Sequence, residues 1–174
     1  MSVFGIVHLP SGRRHELDSI GVTVIGHIEP PKYKSFRESM DEIIHSILRG
    51  ETTTYNPSDP KWEKTPKLFA AVKKYLPRRP GLQLCLSVNS SLDFYHKIDM
   101  FFLWKGVYVT IDLSLRWQEE PEIPKTVDIM EDLSDFDDEA FSVLGEQVAS
   151  LLKERVRKKK GKKKKEKSSS DFES

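Results

Sequence analysis

The chain has 174 residues, 37% of them apolar and 32% charged, enough for about one domain's core with an ordinary surface. Its net charge of +1 hides a split: residues 153–174 carry 11 Lys/Arg against 4 Asp/Glu, a net of +7, which leaves −6 on residues 1–152. A single cysteine, Cys85, excludes an intrachain disulfide framework or a cysteine-held zinc, and no run of 18 apolar residues is present to span a membrane.

In chain order, residues 2–9 and 20–28 read as two short strands of an N-terminal hairpin, ended by Pro30-Pro31. The spacing of Phe36, Met40, Ile43, Ile44, Ile47 and Leu48 predicts an amphipathic helix over 35–48, with Ser35 and Glu38 as a capping box and Gly50 as its stop. A proline-punctuated loop precedes a second helix over 66–75, whose surface carries Lys73 and Lys74 and which breaks at 77–81. Residues 82–88 read as a strand and 89–91 as a polar turn. Two long β-rich runs, 98–104 and 107–115, flank Lys105-Gly106, a tight-turn signal. Apolar residues occupy both faces of each run, which suits a sheet covered on both sides. Residues 126–130 can add a fourth strand, and 137–157 a last helix with acids at its start and cations at its end. The expected fold is α/β or α+β: a central mixed sheet with a long β-hairpin, flanked by helices. It forms one domain over residues 1–157, followed by a disordered basic tail over 158–174.

Asp99 and Asp112 each interrupt an apolar strand, where a bare carboxylate is costly unless paired or metal-bound. With Lys105-Gly106 as a two-residue turn, Asp99 is expected to face Asp112 across the hairpin, about 5 Å away. Magnesium or manganese between them would relieve the repulsion, and an all-oxygen site suits such a hard ion. The structural alternative pairs either acid with Lys97, Arg116 or Lys125, or leaves it at a strand end facing solvent.

The run from Asp93 through Asp99 to Trp104, followed by Val109-Thr-Ile-Asp112-Leu-Ser114, resembles the core of the PD-(D/E)xK nuclease superfamily, with its restriction-endonuclease-like fold. The resemblance covers residues 35–155. It implies a helix before a β-meander, one Asp from one strand, an acid-x-Lys motif from the next, and metal-assisted hydrolysis of phosphodiester bonds in DNA or RNA. On this resemblance Asp99 and Asp112 hold Mg2+ or Mn2+, and Glu42, or else Glu38, matches the helix glutamate of some members. Ser114 stands where the family has lysine, and a serine supplies no cation. Lys97, two residues before Asp99, is the expected substitute, with Lys125 as another. Asp93 is a spare acid that also reads as a cap. The alternatives are a catalytically inactive nucleic-acid-binding or assembly protein, and a protein-interaction module.

Lys158, Lys159, Lys160, Lys162, Lys163, Lys164 and Lys165 form a polybasic arm that binds polyanions by counterion release. Lys73, Lys74, Arg78 and Arg79 make a second basic cluster. Nucleic acid is the expected partner, with a protein partner or a second copy of the chain also open. The N-terminal residues lack the apolar stretch of a signal peptide. The expected setting is the cytoplasm, or the nucleus if the source is eukaryotic or a virus of a eukaryotic host.

Overall fold

The computed structural model describes residues 30–49, 55–61, 64–76, 80–113, 126–133 and 135–170. The two N-terminal strands expected over 2–9 and 20–28 lie outside the described residues. Helices and strands run in the order α1 (Phe36–Leu48), α2 (Thr65–Tyr75), β1 (Gln83–Leu86), α3 (Ser91–His96), β2 (Met100–Trp104), β3 (Val107–Leu113), β4 (Ile129–Glu131) and α4 (Asp138–Ser170). The fold is a mixed α/β arrangement, a four-stranded sheet of order β1-β2-β3-β4 with helices on both faces. The first three strands form an antiparallel meander, and β4 pairs parallel to β3.

The hairpin register follows from its turn. Lys105 (φ 51°) and Gly106 (φ 70°) both adopt positive φ, as a two-residue turn matching the strand twist requires. Trp104 therefore pairs with Val107 and Met100 with Ile111. Alternation then sends Met100, Phe102 and Trp104 to one face, where they pack with α2 and α4, and Phe101 and Leu103 to the other, against α1 and α3. This two-sided burial explains why both runs carry apolar residues on both faces.

Helix α1 begins as its sequence predicts. The Ser35 hydroxyl accepts the Glu38 N–H, and the Glu38 carboxylate accepts the Ser35 N–H at 2.9 Å. Bonds from the Ser35 hydroxyl and backbone hold the Glu38 carboxyl below its ordinary value of 4.5. That stabilisation is complete above the ordinary value and is lost as pH falls through the lowered folded one. A Ser35→Ala variant is expected to lose about 1 kcal/mol of stability, read from thermal melts at neutral pH.

Two elements depart from the sequence expectation. Residues 91–96 form helix α3 rather than the far side of a polar turn: the Ser90 hydroxyl accepts the Leu92 and Asp93 N–H groups, and Lys97 ends the helix at φ 57°. Residues 158–170, expected to be disordered, continue α4 as one 33-residue helix. Lysine and glutamate are good helix formers, the nucleus is already built in the packed half, and cations suit the negative helix end. The β1 edge and the part of β3 beyond β4 are both capped. The Tyr55 hydroxyl donates to Leu84 O (2.9 Å) and the Leu84 N–H to Pro57 O (2.8 Å) on the β1 side. On the far side, Arg155 donates to Tyr108 O where β4 does not reach.

Candidate functional site

Asp99 is buried, 3% exposed, immediately before β2. Its N–H donates to Ile111 O (3.0 Å), and its carbonyl accepts the Ser87 N–H (2.9 Å). The hairpin register would set Asp99 opposite Asp112, but the bond to Ile111 is one residue short of that pairing, so the backbone bulges here. The Asp99 carboxylate fills the gap by accepting the Leu113 N–H at 2.6 Å. It thereby lodges on the peptide that follows Asp112. Asp112 is half-buried and pairs in register with Met130 of β4. By alternation it shares a face with Tyr108 and Thr110, the face covered by α1.

The other expected members of the site lie elsewhere. Lys97 is not on the β2 face: it is the exposed left-handed cap of α3, its N–H bonded back to Asp93 O and Leu92 O. A strand neighbour's direction cannot be kept across that reversal of backbone hand. Glu42 is exposed on α1 and forms an ion pair with Lys34 Nζ at 2.5 Å. Glu38 serves the cap. Asp93, also buried, accepts the Asn89 N–H at 2.6 Å and steadies that residue's positive φ of 65°, so it acts as a turn brace. Among the described residues, no three His, Cys, Asp or Glu side chains gather as a metal-holding group.

The two basic clusters take different places. Lys73 and Lys74 are exposed on α2, which packs on the sheet face opposite the one Asp112 shares. They do not border the acids. Arg78, Arg79, Ser114, Arg116 and Lys125 lie outside the described residues, as do the side chains of Lys163, Lys164 and Lys165. Lys158, Lys160 and Lys162 are exposed along α4, and Lys158 pairs with Glu154 at 2.5 Å. Lys159, also exposed, donates to Gly106 O at 2.9 Å.

A polar network the sequence reading missed stands at the turn end of the hairpin. Arg155 holds the Asp128 carboxylate with both guanidinium nitrogens, Nη1 to Oδ2 at 2.8 Å. The same Oδ2 accepts the Thr110 N–H (2.9 Å) and hydroxyl (3.1 Å). Arg155 and Lys159 continue the stripe of Val148 and Leu152, the core face of α4, and that spacing was the available signal. Phe36, Tyr108, Asp128 and Arg155 line a cleft of about 360 Å³ beside this network. Among the described residues no helix is long and apolar enough to cross a membrane. Comparison with protein families, with curated proteins and with solved structures returns no match.

Proposed function

We propose that the protein is a magnesium- or manganese-dependent nuclease, or a nuclease-like relative, acting on phosphodiester bonds in DNA or RNA. The observation that carries this reading is the Asp99 carboxylate lodged on the Asp112–Leu113 peptide, at one end of a helix-flanked mixed sheet. Magnesium is ordinarily held by one or two carboxylates, with water and substrate phosphate completing its shell. Asp99 and Asp112 meet that minimum. Such an ion lowers the pKa of bound water and polarises a phosphoryl oxygen. Lys97, two residues before Asp99 in sequence and exposed, would balance phosphate charge on a substrate that reaches it. The cytoplasm, or the nucleus of a eukaryotic cell, is the compartment that fits a nucleic-acid substrate and a lone buried thiol.

Calorimetric titration of the full chain with manganese tests this. One saturable site is expected in the native protein and none in Asp112→Asn, with the two melting alike. Absence of binding to the folded native protein would overturn the two-carboxylate site. A second reading, nonenzymatic binding of nucleic acid, is favoured by one feature: an Asp99 oxygen is already engaged by the Leu113 N–H, while Arg157, Lys158, Lys160 and Lys162 stand exposed along α4.

A further inference from the structure

Tyr33 and Tyr95 are the most exposed aromatic side chains among the described residues, 62% and 42% accessible. Single exposed aromatics are ordinary on a protein surface. These two are not single. Their rings meet edge to face, centroids 5.2 Å apart at 81°. The His96 ring lies 6.2 Å from Tyr33, and Phe36 stands edge-on behind His96 at 5.8 Å.

The group is fixed from below by polar bonds. The Tyr95 hydroxyl donates to Pro31 O (2.9 Å), His96 Nε2 bonds Lys34 O (3.0 Å), and the Lys34 N–H donates to Ser91 Oγ (3.0 Å). The segment before α1 is thus pinned along α3, and the tyrosine rings are held in place before any ligand arrives. Pre-set rings lose little freedom on binding. Cations stand close in sequence: Lys32 adjoins Tyr33 and Lys97 lies two residues after Tyr95, both exposed, and Lys34 is shared with Glu42. The nearest acid of α3, Asp93, is buried and turned to the Asn89 N–H.

We infer that Tyr33 and Tyr95 form a base-stacking platform for single-stranded nucleic acid, with Lys32 and Lys97 meeting the flanking phosphates. Aromatic faces interleaved with cations are what an unpaired strand requires, because every base offers a π-face and every link a negative charge. A duplex keeps its bases stacked on one another and cannot use the rings. The position matters as well: Lys97 and Ile98 lead directly from α3 to Asp99, so a strand stacked here would run toward the carboxylates. The inference rests on the nucleic-acid reading above and narrows its substrate to strands with unpaired bases.

Fluorescence anisotropy of the full chain with labelled oligothymidylate in EDTA, and with a labelled duplex, tests it. Tyr33→Ala is expected to bind the single strand about tenfold more weakly. Tyr33→Phe, which keeps the ring, is expected to bind like the native protein. Neither change should alter duplex affinity or the salt slope, since no phosphate contact is lost. If the native protein binds the single strand and Tyr33→Ala binds it equally well, the platform is wrong and the nucleic-acid reading stands. If the native protein binds neither probe, both fall. Because metal is absent, the result is independent of the manganese titration.

Discussion

Replacing Gly145 by alanine is expected to lower the melting temperature by roughly 5–10 °C, about 2–3 kcal/mol of stability. On propensity alone the change should help, since alanine favours a helix interior by about 1 kcal/mol over glycine. The crossing of α4 over α2 reverses the sign. A Cβ at Gly145 would lie 2.6 Å from both the carbonyl carbon and the Cβ of Ala71, and 2.9 Å from the Val72 nitrogen. Those are largely backbone atoms, so no rotamer change relieves the contact and the helices must part. Parting them loosens Leu68, Val72, Leu144 and Val148, all buried at this crossing. Gly161, further along the same helix, has nothing within 4 Å of its Cβ position. There the same substitution is expected to leave the melt intact and raise helicity by circular dichroism. Equal effects at the two positions would refute the close-crossing account.

Asp128→Ala is expected to cost about 2–3 kcal/mol, measured by denaturant titration. The change takes the carboxylate from the Arg155 guanidinium and strands the Thr110 N–H, on a residue that is fully buried; the Thr110 hydroxyl keeps its shorter bond to Thr126 O (2.7 Å) and Arg155 keeps Tyr108 O. Breaking a fully buried pair costs more, but here the partners keep 34% and 19% exposure, so water softens the loss. Arg155→Ala should cost less, because Asp128 keeps both Thr110 bonds. Asp128→Asn should cost least, since an amide oxygen still accepts from Thr110. A reversed order, with Arg155→Ala the worst, would mean that the grip on Tyr108 O matters more than the carboxylate.

Features written in short, local code were legible in the sequence. The Ser35–Glu38 box starts α1 where its spacing says, and Lys105-Gly106 sets the register of the hairpin without help from the rest of the chain. Apolar residues on both faces of that hairpin foretold two covering layers. Helix α3 escaped because six residues carry too little periodicity to declare themselves, and Asn89-Ser90-Ser91 is as good a turn as it is a helix start. The bulge at Asp99 was invisible for another reason: a side chain stands in for a backbone acceptor, and alternation cannot register that. Lys97 was misplaced with it, since a left-handed residue leaves no mark in a lysine. The bond between Asp128 and Arg155 joins residues of different elements, so neither local stretch announces it. Tyr33 and Tyr95, far apart in sequence, become one surface only when the chain before α1 lies down on α3.

Helix α4 is about 50 Å long, and its first half is sunk in the core through Phe141, Leu144, Val148 and Leu152. Its cationic half runs on from that anchored half as a straight beam, with Lys158, Lys160 and Lys162 exposed along it. A tethered arm searches a volume and delivers charge as a local concentration, whereas a beam delivers charge along a bearing. Arg155 and Lys159 are the brackets, fastened to the strand at Tyr108 and to the turn at Gly106. A polyanion lying along the beam would be presented to the sheet at one angle, and any torque on its basic half would be felt in the hairpin through Arg155 and Lys159.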